Sequence, residues 1–480
     1  MAPERPVLAF LGGVRTVTGS RFLLEHGSRR VLVDCGLYQG LKDLRLRNWA
    51  AFPVDPGTID AVVVTHAHLD HVGYLPRLCT AGFRGPVLVT AGTAALAAIV
   101  LPDSGHLQEE EAAYANRMGF SKHRPALPLY TEDDAIRALD NLQVADFSDE
   151  MALGEDVMVT FGRAGHILGS ATVRVQLGDD GPSLVFSGDL GRPSHPLLGP
   201  PDPLGDTDWV VVESTYGDRR HDDARVLDDL AGAISRTVAR GGSVIIPAFA
   251  VDRTEVVLYH LAGLRRAERI PDVPVYVDSP MALDALAVYR DALAAGAPDL
   301  RPELVGGADP FADGAVTAVR DVEGSKRLND GLYPSIIVSA SGMATGGRVV
   351  HHLFHRLPDP RNCLVLVGFQ SEGTRGRLLA DGARQVKLLG QYVRVRAEVL
   401  HLPAFSVHAD AAELIDWLAT APREPSGVFV VHGEETASLA LAERVDEQLG
   451  WMASVPHPGE RVRIDVPAHR SGRLNRTPVR

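Results

Sequence analysis

Apolar positions in the chain up to about residue 200 fall in short blocks or alternate with polar ones, bounded by Gly-containing turns. These blocks are Val7–Leu11, Arg21–Glu25, Arg30–Val33, Ala61–Val64, Val87–Val89, Met158–Phe161, Thr172–Val175 and Leu184–Ser187. Short β-rich runs of this kind predict strands. Asp103–Met118 and Glu132–Leu142 show helical spacing with charged faces, and Thr131 offers an N-cap to the second. The expected unit is a sheet-rich layered domain with helices over its sheets. After Trp209–Glu213 the rhythm changes. Helices are predicted at Val226–Ala239, Thr254–Arg266 and Ala282–Ala295, and strands at Ser243–Pro247, Val275–Asp278, Ser335–Ser339 and Cys363–Val367. That alternation predicts a parallel α/β sheet. Val393–Leu402 returns to β character, Ala411–Ala419 and Ala437–Leu449 read as helices, and residues 467–480 lack an apolar period and are expected to be a mobile tail.

Composition narrows the class. The 480 residues are 45% hydrophobic and 23% charged, which suits two or three globular domains. Three cysteines, Cys35, Cys79 and Cys363, lie far apart in apolar settings, so neither a disulfide framework nor a cysteine zinc knuckle is expected. The N-terminus lacks a signal-like segment and no apolar run reaches membrane-spanning length, so the expectation is a cytoplasmic protein with no membrane partner. A net charge of −13 argues against coating nucleic acid by phosphate neutralisation. It leaves a nuclease open, because bound divalent cations supply positive charge locally and acidic residues hold them.

Candidate chemistry centres on Thr65-His66-Ala67-His68-Leu69-Asp70-His71, directly after an apolar strand. Residues two apart on extended backbone point the same way, so His66 and His68 can grip one ion while the turn sends Asp70 and His71 toward a second. Imidazole and carboxylate ligands suit zinc. Further candidates stand at the ends of later strands: His166 in Gly165–Ser170 and Asp189 in Ser187–Gly191, each flanked by glycines. Asp34, after another apolar strand, is placed to orient a ligand histidine. The Gly-rich stretch Ser339–Gly347 precedes a predicted helix, Gly347–Arg356, and makes Ser341, with Ser406, a candidate phosphate contact. A tight turn between strand and helix explains the same stretch equally well. The remaining histidines, including His106, His123, His195, His351, His352, His355 and His401, read as ordinary surface or core residues.

Asp34, the His66–His71 motif, His166 and Asp189 stand in the order of the signature motifs of the metallo-β-lactamase fold, which the chain resembles. Downstream, Glu213-Ser214-Thr215-Tyr216-Gly217, Phe405-Ser406-Val407-His408-Ala409-Asp410 and Val431-His432-Gly433-Glu434 resemble motifs A, B and C of the β-CASP branch, the nucleic-acid-cutting group that includes the cleavage and polyadenylation nuclease. Pro247–Ala250, Ser339–Met343 and Gly368–Gln370 resemble that family's inserted domain, so the likeness is nearly full length.

The resemblance implies an αββα sandwich, residues 1–217 and 393–466, interrupted by a parallel-sheet α/β β-CASP domain at 218–392. It implies two zinc ions per chain: His66, His68 and His166 on the first, Asp70, His71 and His432 on the second, and Asp189 as the bridge. His408, oriented by Glu213, would protonate the leaving oxygen while a hydroxide shared by the ions attacks phosphorus. The implied substrate is single-stranded RNA, since His432 at motif C goes with RNA-cutting members, and a homodimer is expected from relatives. The alternatives are a DNA or small-ester hydrolase of the same fold and a noncatalytic RNA-processing scaffold. Asp252 and Glu255 stand where relatives often show Gly and Gln, and are expected to add negative charge near the RNA cleft.

Overall fold

A computed structural model describes residues 5–119, 121, 123–222, 224–311, 316–330 and 334–465. Two seven-stranded sheets face each other. The first runs Arg461–Arg463, Val7–Gly12, Arg21–His26, Arg29–Val33, Ala61–Val63, Val87–Val89 and Leu142–Val144. The second runs Ala453–Ser454, Gly427–Val430, Trp209–Val212, Ser183–Phe186, Ala171–Leu177, Val157–Arg163 and Glu150–Ala152. The period-two alternation sorts the side chains. Leu8, Phe10, Phe22, Val31 and Val33 meet Val159, Phe161, Val173, Phe186 and Phe429 between the sheets. The opposite faces pack under helices: Leu23, Leu32 and Val62 beneath Ala91–Met118, and Val185, Val210 and Val428 beneath Ala411–Leu418 and Glu435–Leu449. This is the expected αββα sandwich.

The strands Trp209–Val212 and Gly427–Val430 are parallel neighbours in one sheet, so the inserted domain departs and returns beside itself. Among the described residues its main sheet has six strands, ordered Val316–Ala318, Val275–Val277, Ile336–Ser339, Val244–Pro247, Cys363–Val367 and Glu398–Leu402, and every pairing in it is parallel. Ile245 faces the helix Arg348–Arg356 on one side, while Val244 and Ile246 face Val226–Ala239 and Arg253–Arg266 on the other.

Several boundaries differ from expectation for identifiable reasons. The helix expected from Asp103 begins at Ala91, capped by Thr90, and carries Pro102 inside it. A proline there reads as a start because it removes an interior hydrogen bond. The Glu132 helix has the expected Thr131 cap, with a full capping box, but ends at Leu139, and Leu142–Val144 becomes an edge strand. Val393–Leu402 divides: Gln391–Arg394 pairs with Gln385–Leu388, while Glu398–Leu402 joins the inserted sheet beyond the expected limit at 392. β character alone does not choose a partner sheet. The tail 467–480 lies outside the described residues.

Candidate metal centre

The strand Ala61–Val63 ends in a loop that carries His66 and His68, and the short helix Leu69–Val72 turns Asp70 and His71 inward. Later strands deliver His166, Asp189 and His432 to the same place. Gly188, at φ 54°, lets the chain pass Thr65, whose Cβ would stand 2.7 Å from any added methyl. Asp34 and His432 adopt positive φ, 60° and 45°, a region that non-glycine residues usually avoid.

Two clusters result. His68 Nδ1 lies 3.1 Å from His66 Nε2 and 3.3 Å from His166 Nε2, and Asp189 Oδ2 lies 3.5 and 3.6 Å from His66 and His166 Nε2. In the second cluster, His71 Nε2 lies 3.2 Å from both His432 Nε2 and Asp189 Oδ1, and His432 Nε2 lies 3.5 Å from Asp70 Oδ2. Asp189 thus offers one oxygen to each.

These residues fit zinc. A tetrahedral ion with bonds of about 2.0–2.1 Å has ligand atoms about 3.3–3.4 Å apart, close to the observed separations. Three imidazole nitrogens converging at such distances leave lone pairs that a cation satisfies together and that shared protons satisfy only in part. Asp189 Oδ1 is buried without a hydrogen-bond partner among the described residues, although His71 Nε2 stands near it. Burial holds His66 and His166 well below the usual histidine range, which keeps them in the neutral, ligating form. Burial also opposes charge on His71, but Asp189 and Asp34 outweigh it and raise that histidine well above its ordinary value. Asp34 Oδ2 sits 2.7 Å from His71 Nδ1 and its Oδ1 accepts the Thr65 amide at 2.8 Å, so Asp34 aims His71 Nε2 at the centre.

Glu213 and His408 also meet here. Glu213 is fully buried, accepts the Leu190 amide through Oε1 at 2.7 Å, and places that oxygen 3.3 Å from His408 Nδ1. Burial works against charge on His408, but Glu213 and Asp189 raise it above the usual value. Its ring centroid stands 4.4 Å from that of His166. Asp189, Glu213 and His432 also have ligand atoms within 4.8 Å of one another, but both Glu213 oxygens already face backbone amides, those of Leu190 and Thr215.

The clusters form the floor of a cavity of about 580 Å³ between sandwich and inserted domain. Phe249, Arg253 and Phe369 line it from the inserted domain, and Arg15 and Arg47 from the sandwich. None of these five was singled out in the sequence, although Phe249 and Phe369 lie within quoted motif segments. Ser341 and Ser406 do not line the cavity. Ser341 Oγ meets Thr345 Oγ1 at 3.0 Å and accepts the Thr345 amide at 3.1 Å, closing the turn before the helix, and Ser406 is buried with its Oγ 3.4 Å from the His408 amide.

The expectation for Asp252 and Glu255 is corrected. Both are buried and absent from the cavity wall. Burial, with Asp252 adding to it, pushes the Glu255 carboxyl well above the usual range, which favours its neutral form.

Comparison with known proteins agrees with this geometry. Residues 15–227 match the metallo-beta-lactamase superfamily, 254–379 the Beta-Casp domain, and 392–456 the Zn-dependent metallo-hydrolase RNA specificity domain. A ribonuclease of Thermus thermophilus is 40% identical over 433 residues, covering 90% of this chain and 94% of that protein. An RNase J-like protein of Methanocaldococcus jannaschii is 31% identical, with 94% and 98% covered, and transcription termination factor FttA of Methanosarcina mazei is 32% identical, with 92% and 68% covered. A crystal structure of a protein of unknown function from Enterococcus faecalis V583 matches with TM-score 0.53 at 16% identity, covering 96% of this chain and 100% of that one, a likeness of fold. No helix among the described residues is long and apolar enough to cross a membrane. The chain belongs to the β-CASP branch of the metallo-β-lactamase superfamily and is a metal-dependent hydrolase.

Proposed function

We propose that this protein is a ribonuclease that hydrolyses phosphodiester bonds of single-stranded RNA with two zinc ions per chain. The observation that carries the reading is the pair of ligand clusters joined by Asp189 on the floor of a cleft, with the Glu213–His408 pair beside them. His66, His68, His166 and Asp189 would hold one ion, and Asp70, His71, His432 and Asp189 the other. When bound, the zinc ions supply positive charge to the scissile phosphate and make water nucleophilic near neutral pH.

The chain's own residues do the rest. Asp34 fixes the ring of His71, Glu213 fixes the ring of His408, and His408 carries the proton that the leaving oxygen needs. Arg15, Arg47 and Arg253 line the cavity beside Asp43, Glu372, Glu434 and Glu435, and Arg15 pairs with Glu435, so the positive charge that draws a polyanion to the floor would come from the bound ions. The RNA-specificity match over 392–456, which contains His408 and His432, and the relatives named as ribonuclease and RNase J-like support RNA as the substrate. Three free thiols, two of them buried, support a reducing, cytoplasmic setting.

The test is to count zinc per chain and follow cleavage of end-labelled single-stranded RNA through chelation and re-addition. About two ions, with cutting lost on chelation and restored by zinc, is the expected result. Undiminished cutting by metal-free protein would refute the reading.

A further inference from the structure

The segment 249–253 forms a wall of the cleft, and its centre is strained. Asp252 has φ 66° and ψ −46°, and the Arg253 amide bonds the Val251 carbonyl at 3.0 Å, closing a γ-turn of the rare form. Val251 and Arg253 on either side line the cavity, whereas the Asp252 side chain turns away from it. Glycine adopts such a turn without steric cost. What the aspartate adds is two hydrogen bonds, both leading to the sandwich domain.

Oδ2 of Asp252 lies 3.0 Å from His195 Nε2. His195 Nδ1 accepts the amides of Leu197 and Leu198 at 3.1 and 3.0 Å, which fixes the tautomer: Nε2 carries the hydrogen and donates it to Asp252. Oδ1 accepts from the Tyr289 hydroxyl at 2.6 Å, and that hydroxyl accepts the Leu168 amide at 3.0 Å. Leu168 stands two residues beyond His166, and His195 six beyond Asp189. One buried carboxylate therefore ties the cleft wall to both loops that carry these candidate ligands. All three side chains are buried, so water does not compete for these bonds.

We propose that Asp252 is a positioning residue that latches the inserted domain's cleft wall to the His166 and Asp189 loops and so holds the cleft at the width that grips an RNA strand. The proposal rests on the ribonuclease reading. Without the latch, open arrangements of the wall compete with the closed one, and RNA must select the closed fraction. If that fraction falls to about a tenth, KM rises about tenfold, while kcat at saturating RNA stays within about twofold.

The experiment compares zinc-loaded full-length wild type, Asp252→Gly, Asp252→Asn and Tyr289→Phe in steady-state cleavage of single-stranded RNA, zinc content, and hydrogen exchange of the Leu168 and Arg253 amides. Glycine fits the turn, so Asp252→Gly removes the latch without adding backbone strain. The expected result is a KM raised about tenfold in Asp252→Gly with kcat and zinc kept, a smaller rise in Tyr289→Phe, and faster exchange at both amides. Asp252→Asn should recover most of the loss, because its oxygen still accepts from His195 and its amide donates to the Tyr289 oxygen. An unchanged KM in Asp252→Gly, or kcat and zinc falling together at constant KM, overturns the proposal. If wild type cuts no RNA, the ribonuclease reading fails on its own. Hydrogen exchange then decides the latch: unaltered protection in Asp252→Gly overturns it, and faster exchange at both amides supports it.

Discussion

Glu213 Oε1 stands 3.3 Å from His408 Nδ1, joining residues 195 positions apart in the chain. The carboxylate is fixed by the Leu190 amide, so its direction does not rest on the histidine alone. Replacing it with glutamine keeps the shape and removes the charge. Burial opposes a charged His408 and Glu213 counters that, so in Glu213→Gln the histidine should lose its proton at lower pH. A proton donor is active only while protonated. The alkaline limb of the kcat profile should therefore move to lower pH, and kcat at its optimum should fall about 100-fold with zinc retained. A pH–rate series with metal analysis checks this.

Asp34 acts on the metal through His71. Asn tolerates the positive φ that Asp34 adopts, so Asp34→Asn should fold normally. It loses the charge that holds His71 Nδ1–H, and zinc affinity should fall about 10- to 100-fold. Competition with a zinc chelator measures the change.

The two clusters share Asp189 but not His432. His432→Ala should weaken the second site, which then keeps only Asp70, His71 and the shared Asp189, and lower bound zinc toward about one ion per chain, while the first site keeps His66, His68, His166 and Asp189. Metal content after gel filtration gives the answer.

Glu255 is a buried acid whose two oxygens complete no hydrogen bond, with only the nearby amides of Asp252 and Glu255 itself to relieve it. Folded protein binds its proton more tightly than unfolded chain does. Stability should therefore decline as pH rises from the ordinary carboxylate range through the raised folded value. Glu255→Met, similar in volume and a good helix former, should stabilise the protein by about 1–3 kcal/mol at pH 7. The advantage should shrink toward pH 5. Denaturant unfolding at several pH values tests both the sign and the trend.

The layered sheets and the metal loop were legible because each rests on local signals, whereas the αββα arrangement came from the family resemblance. Short apolar runs marked the strands whose Phe10, Val33 and Phe161 fill the space between the sheets, and the spacing of His66, His68, Asp70 and His71 needs no partner to be read. Fates decided by distant residues were not legible. Asp252 and Glu255 read as added negative charge near the cleft until His195 and Tyr289 are seen to cover Asp252. Glu398–Leu402 gives no local sign of which sheet it joins, whereas the contact of Ser341 with Thr345 is the local turn that the sequence offered as an equal alternative to a phosphate contact. Arg253 reaches the cavity beside a γ-turn at Asp252, whose carboxylate meets His195 of the other domain.

The most direct measurement is single-turnover cleavage of end-labelled single-stranded RNA, beside DNA of the same sequence, by zinc-loaded wild type and His408→Ala. Wild type should cut RNA and leave DNA, and His408→Ala should be slower by at least about 100-fold while still carrying its zinc. Equal cutting of DNA, or an undiminished rate in His408→Ala, would contradict the account.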